Sequence, residues 1–357
     1  MGSPYEGLPE EAFWKTGVAG QSATSFPRLY RKKFAIRRKT VIATAGSCFA
    51  QHISKHLRAR GFNVLDSEPP PWGLDQETAQ RFGYGMYSAR YGNIYTVRQL
   101  RQITEEAFGK FQPAEPVWRR GERYFDAFRP SVEPNGLSSA EAVLKHRAHH
   151  LKNVKRVIST AEVFVFTLGL TEAWVHKATG TAYPTAPGVI AGDFDDSIYQ
   201  YRNYTFHEIW LDFLGFLKLV KSVNRRMRFV LTVSPVPLTA TASGEHVLRA
   251  TTYSKSVLRA VAGQLYQTRK DVDYVPSYEL ITNALSGGRY FEDNLRSVRR
   301  EGVEAVMEMF FKEHDTDGAK PALAAPAMTS ELDGGIKRDD EEDELVCEEV
   351  LLEAFAQ

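Results

Sequence analysis

The sequence is poor in cysteine, with two in 357 residues, Cys48 and Cys347. Two thiols so far apart build no disulfide framework and predict no Cys-based metal site. An excess of one charge is also missing, because 45 Lys and Arg stand against 44 Asp and Glu for a net charge of +1. So close a balance predicts no nucleic-acid or polyanion partner. No stretch approaches about eighteen consecutive apolar residues, so no membrane span is expected. Residues 1–24 hold no apolar run of signal-peptide length, and a cytoplasmic location is the expectation. There is no internal repeat and no phosphate-cradling glycine loop. What the chain does hold is 43% hydrophobic and 12% aromatic residues, enough for a sizeable core in one large domain or two smaller ones.

The stretch Thr40-Val41-Ile42-Ala43-Thr44-Ala45-Gly46-Ser47-Cys48-Phe49-Ala50 organises the rest. A β-branched, apolar run stops at glycine, and Phe49, Ile53 and Leu57 then follow at helical spacing. A strand that turns sharply into a helix through Gly-Ser-Cys lifts a nucleophilic side chain from the carboxyl end of a sheet. It also supplies backbone N–H groups that hold an oxyanion and lower a thiol pKa. The plainer reading is a strand–helix turn whose small residues only permit close packing.

Strands alternate with helices along the chain. A second strand is expected at Phe62–Leu65, then a long ordered Gly/Tyr loop over 82–93, of the kind that carries function. A helix over 94–108, an edge strand over 124–128 and a helix from Ser138/Ser139 to about Ile158 follow. Residues 163–168 and 229–233 are continuous apolar β runs, as buried parallel strands should be. A hairpin over 175–183, helices over 206–223, 250–267 and 301–312, and a last strand at 272–276 complete the pattern. His146, His149 and His150 read as a solvated helix face. The pattern predicts a three-layer α/β/α sandwich on a mainly parallel sheet, with loop and hairpin insertions. Gly46, Gly169 and Ser234 should then meet at one sheet edge, where ligands of such folds bind. Residues 1–24 read as a lead-in, 25–315 as the domain and 316–357 as an acidic tail. Within the tail, 316–340 is expected to be disordered. Leu345–Phe355 reads as a short amphipathic helix that docks on its own domain or on a protein partner, or frays.

Gly46-Ser47-Cys48-Phe49-Ala50 is the signature of the GSCFA-domain proteins, which resemble SGNH (GDSL-like) esterases and acyltransferases. Three further blocks are similar to that family: Thr167–Trp174, Ser234–Pro237 with His246 and Tyr253–Arg259, and Asp273–Glu279. The resemblance spans about 25–313 and implies acyl-ester chemistry, hydrolytic or by transfer to a sugar or similar hydroxyl. Laying Gly46-Ser47-Cys48 on the family's Gly-Asp-Ser block puts Cys48, rather than Ser47, at the nucleophile position. Ser47 would cap the following helix. The Gly-x-Asn-Asp block corresponds to Gly169-Leu170-Thr171-Glu172. Thr171, with the Cys48 and Gly169 N–H groups, would bind the oxyanion, and Glu172 would orient a histidine or fix the loop by a salt bridge. Asn93 is a further candidate donor. The superfamily's Asp-x-x-His corresponds to Phe291–Val298, which has no histidine, so His246 becomes the candidate base, with a capping role as its alternative and His52 in reserve. No cofactor is required, acyl-CoA is a candidate donor, and a small molecule or saccharide is the expected substrate. The competing expectation is a non-catalytic binding or adaptor protein whose acidic tail engages a partner.

Overall fold

A computed structural model describes residues 2–22, 26–314 and 347–356. In chain order the elements are β1 (Ile42–Gly46), α1 (Phe49–Ala59), α2 (Gln76–Arg81), α3 (Val97–Ala107), β2 (Val117–Arg120), β3 (Arg123–Asp126), α4 (Ala140–Thr160) and β4 (Val163–Leu168). They continue with β5 (Glu172–His176), β6 (Ala182–Tyr183), β7 (Tyr199–Asn203), α5 (Phe206–Val223), β8 (Arg228–Val233), α6 (Val247–Thr268), β9 (Val272–Tyr274), α7 (Ser277–Thr282) and α8 (Arg300–His314). A 3-10 turn over Glu348–Phe355 is the last described element.

The central sheet is four-stranded and parallel, in the order β1-β4-β8-β9. Its strands are buried on both faces, which is why β4 and β8 read as nearly continuous apolar runs, while β9 carries the buried Asp273. Alternate residues serve two cores. Ala43, Ala45, Phe164, Phe166, Phe229 and Leu231 pack with α3, α4, α5 and α6. Ile42, Val163, Val165 and Val230 pack with α1, α7 and α8 on the other side. The expected three-layer α/β/α architecture is therefore present. Among the described residues, no helix is long and apolar enough to cross a membrane.

Local chemistry sets the helix starts. Thr96 and Thr205 each close a capping box, with Gln99 and Glu208, and Ser139 accepts from Ala142 N–H. Two insertions leave the sheet: an antiparallel β2–β3 pair, and a three-stranded β6-β5-β7 sheet that includes the expected hairpin. The expected strand at Phe62–Leu65 is only a single bridge, Val64 to Ile42. Past Leu65 the chain leaves for the Gly/Tyr loop, with Ser67 N–H donating to Ser88 O, and Pro69–Pro71 cannot donate to a ladder.

That loop is buried and anchored by charge. Glu68 accepts from Arg90 N–H at 2.9 Å and pairs with His150 Nδ1 at 2.7 Å. Arg129 donates to the Arg90 carbonyl and to Asp126, which also takes Arg147. His150 is thus fully buried rather than on a solvated face, and burial pushes its pKa down to about 4. The apolar spacing of α4 (Val143, Val154, Val157) puts His150 on the inner side, where a carboxylate receives it.

Candidate active site

At the carboxyl end of β1 the backbone closes on β4. Gly46 has φ +142°, and a Cβ there would lie 2.7 Å from both Thr167 N and Thr167 O. Only glycine meets both demands. Across from it, a Cβ on Gly169 would lie 2.8 Å from Ser47 Cβ and 3.0 Å from Tyr95 O. Cys48 takes helical dihedrals, φ −49° and ψ −37°, at the start of α1, and is 4% exposed. The chain therefore makes the strand–turn–helix elbow. Ser47 does not cap α1: its Oγ is buried with no hydrogen-bond partner among the described residues.

The end of the Gly/Tyr loop lies over this elbow. Ile94 N–H donates to Gly46 O at 2.9 Å. Asn93 Oδ1 accepts from Tyr87 OH at 2.6 Å and from Gln51 Nε2 at 3.2 Å. With its oxygen so held, the Asn93 amide nitrogen faces away from the core and donates to Glu348 Oε2. Tyr95 OH donates to the same oxygen at 2.7 Å. Two donors from one loop thus converge on one carboxylate oxygen, as donors converge on an oxyanion.

Two cations complete the surroundings. Lys255, on α6 and 2% exposed, donates from Nζ to Gly169 O at 2.8 Å. Desolvation lowers its pKa to about 8, against the opposing fields of Glu349 and Cys48. Arg296 is brought in by a tight turn in which Asn294 Oδ1 accepts from the N–H groups of Arg296 and Ser297, both at 2.9 Å. Leu295 within that turn has φ +53°, a left-handed value that few side chains adopt. Arg296 Nη2 then lies 3.2 Å from Glu349 Oε2 and 3.8 Å from Cys347 Sγ.

The two cysteines, so distant in sequence, meet here as free thiols. Cys347 packs against the cluster that holds Cys48 and sits against the Arg296 guanidinium, and the neighbouring thiol and the guanidinium lower its pKa to about 6. The neighbouring Cys347 and burial push the Cys48 thiol well above the ordinary range. The expected low pKa at the helix start is not what this environment gives. A cavity of about 570 Å³ opens on the far side of Glu349, lined by apolar groups such as Leu170, Trp174, Pro184 and Leu238, with Glu172 at its wall; neither thiol lines it.

Most of the other expected residues take structural places. His246 is the exposed N-cap of α6, where Nδ1 accepts from Leu248 N–H at 3.1 Å. Glu172 accepts from Thr241 Oγ1 at 2.9 Å and orients no histidine, and burial raises its pKa. Thr171 is fully buried, its Oγ1 without a partner among the described residues. The Gly169 N–H is already taken by Tyr95 O at 3.2 Å, so it is not free for an oxyanion. Ser234 Oγ accepts from Val236 N–H at 3.3 Å and shapes the turn after β8. His52 lies edge-on to the Phe49 ring. Asn93 alone of the candidate side-chain donors points at the thiol pair's neighbour.

Sequence reasoning missed Lys255, Arg296, Tyr95 and the Cys347–Glu349 triplet. Signals existed for two of them. Lys255 falls at helical spacing with the buried Leu258, Ala262 and Leu265, where a lysine is out of place. Arg296 stands three residues after Asp293, where the superfamily pattern carries its histidine.

A family match spans the elbow. The chain matches the GSCFA family over residues 41–310. No curated protein matches it. Among solved structures it is similar to a carbohydrate esterase family 3 protein from Talaromyces cellulolyticus, at 11% identity and TM-score 0.30, covering 77% of this chain and 95% of that one. It is also similar to a chain named as a GDSL-like lipase from Parabacteroides merdae ATCC 43184, at 13% identity and TM-score 0.32, covering 80% and 99%. A mutant acetyl esterase with acetate ion gives 11% identity and TM-score 0.28, covering 77% and 99%. By a match that takes in the elbow, the sheet and the closing helix, this chain belongs to the GSCFA family.

Proposed function

We propose that this site cleaves acyl esters through a thioester on Cys48, releasing the acyl group to water or to another hydroxyl. The observation that supports it most is the convergence of Asn93 Nδ2 and Tyr95 OH on one carboxylate oxygen beside the Cys48 elbow. A carboxylate oxygen stands in for the oxyanion of a tetrahedral intermediate, and donors fixed in advance stabilise that charge without reorganising. The Cys48 N–H at the helix start is a third donor, since no backbone carbonyl among the described residues takes it.

The neutral fraction of Lys255, which a pKa lowered to about 8 enlarges as pH approaches that value, accepts the Cys48 proton. The thiolate attacks the ester carbon, the carbonyl π pair moves to the oxygen, and Asn93 and Tyr95 hold the resulting oxyanion. The C–O bond then breaks, and the alcohol leaves with the proton held by Lys255. Water or an acceptor hydroxyl attacks the thioester by the same route and regenerates the thiol. Lys255 replaces His246 in this scheme because it is buried within the field of Cys48, whereas His246 caps a helix in the open.

The cavity sets the substrate class. Its apolar walls at Leu170, Trp174 and Leu238 suit the acyl portion of an ester, leaving the alcohol, a saccharide among others, toward solvent. Turnover of 4-nitrophenyl acetate, butyrate, hexanoate and octanoate by wild type, Cys48→Ala and Ser47→Ala tests the reading. It expects kcat/KM to rise with chain length and Cys48→Ala to be inactive. Full turnover in Cys48→Ala with loss in Ser47→Ala would move the nucleophile to serine.

A further inference from the structure

We propose that Asn93, Tyr95 and Ser131 form a carboxylate-binding subsite beside Cys48, and that the segment Cys347–Phe355 is its internal ligand, which must leave before a reactant reaches the thiol. That the reactant is an ester rests on the acyl reading above; the subsite and its occupant do not.

Three successive residues of the segment each meet polar partners from separate parts of the fold. Cys347 faces Cys48, Tyr95 OH at 3.8 Å and Arg296 at 3.8 Å. Glu348 has both carboxylate oxygens satisfied: Oε2 by Asn93 Nδ2 and Tyr95 OH, Oε1 by Ser131 Oγ. It is 3% exposed. Glu349, at 9% exposed, takes Arg296 and lies in the field of Lys255. A carboxylate is buried only where donors compensate it, and here the donors come from loops far away in sequence.

The remainder of the segment is held loosely. Leu352 and Phe355 form part of the cavity wall, while Val350, Leu351 and Phe355 keep much of their surface in solvent. A structural element would bury its apolar residues and expose its glutamates. This one buries Glu348 and Glu349 while leaving Val350, Leu351 and Phe355 exposed, as a ligand that reads a polar site does. The subsite therefore selects a carboxylate, and a ligand bearing one competes with Glu348 for the same donors.

Because the segment is part of the chain, its local concentration is on the order of millimolar. Shielding Cys48 about tenfold then needs only a weak intrinsic affinity, on the order of 0.1 mM. The test uses the full chain carrying Cys347→Ser, which leaves Cys48 as the only thiol. Iodoacetamide alkylation of Cys48 at pH 7.5 is timed by intact mass, with and without Glu348→Ala plus Glu349→Ala. The expected result is alkylation at least about tenfold faster in the double alanine form. A synthetic peptide of residues 347–356 carrying Cys347→Ser should restore protection, and the same peptide with Glu348→Gln and Glu349→Gln should not. If the alanine form fails to fold, Glu348→Gln with Glu349→Gln gives the same reading without loss of volume. Equal rates in two folded forms would overturn the proposal. Since alkylation needs no ester turnover, an inactive but shielded Cys48 would refute the acyl reading and leave the subsite standing.

Discussion

Replacing Lys255 with methionine separates what this lysine does for stability from what it does for chemistry. Its pKa is lowered from the ordinary 10.5 to about 8, chiefly by burial. At about 1.4 kcal/mol per pKa unit, a shift of roughly 2.5 units costs the folded state about 3 kcal/mol. The sign follows from proton counting: between pH 8 and 10.5 the unfolded chain binds the proton and the folded chain does not, so stability rises with pH there. Below pH 8 both states are charged and the full penalty is present. Linkage puts the gain between about pH 7 and about pH 9.5 at about 2 kcal/mol for this one group. Methionine keeps the volume and removes the charge, but it loses the bond to Gly169 O, worth about 1.5–3 kcal/mol for a charged donor. The two effects nearly cancel at neutral pH. Urea unfolding of wild type and Lys255→Met at both pH values checks this, because other titrating groups drop out of the difference. Near-equal stability is expected at about pH 7, with wild type gaining about 2 kcal/mol on the variant by about pH 9.5. Parallel behaviour, with a difference that moves by less than about 0.5 kcal/mol, would refute a depressed lysine and with it the proton acceptor.

Further substitutions probe the geometry around it. Gly46→Ala places a Cβ 2.7 Å from the Thr167 backbone at φ +142°, and a loss of about 3 kcal/mol or more, read by thermal melting, is expected. An unchanged melting temperature would mean that the strand ends are not so close. Asn93→Ala removes one oxyanion donor and should lower kcat by about 10²–10³ while KM changes little. A change in KM alone would make Asn93 a ground-state binder. His246→Ala should keep wild-type turnover and lose at most about 1 kcal/mol of stability, as an exposed cap does; loss of activity there would restore histidine as the base.

Much of the fold was legible because burial on both faces writes itself as apolar runs at 163–168 and 229–233, and capping residues mark the helix start at Ser139. The short strands β2 and β7 carry no such signal. They pair within small insertions, and charged or amide residues fill half their positions or more, as in Trp118-Arg119-Arg120 and Tyr201-Arg202-Asn203. Phe62–Leu65 has the composition of a strand but pairs through Val64 alone, a tertiary fact with no local signal. At the site, the elbow was readable because Gly46 and Cys48 lie within three residues of each other, and Asn93 because a Gly/Tyr loop of that length invites a role. His246 misled because a side-chain cap and a catalytic base look alike in sequence. The docking of Glu348 on Asn93 joins residues 255 positions apart. No periodicity or spacing carries that information, and the linking residues 316–340, expected to be disordered, lie outside the described residues.

The acyl-enzyme is the most direct observable of the proposed chemistry. Intact mass spectrometry after brief exposure to an activated ester and to an acyl-CoA, in wild type and in Glu348→Gln with Glu349→Gln, followed by peptide mapping, locates any adduct. The account predicts one acyl group on Cys48, formed faster when the glutamates are replaced, absent in Cys48→Ala and released by neutral hydroxylamine as a thioester is. An adduct on Ser47, or turnover with no adduct on Cys48 under quench conditions, would contradict it.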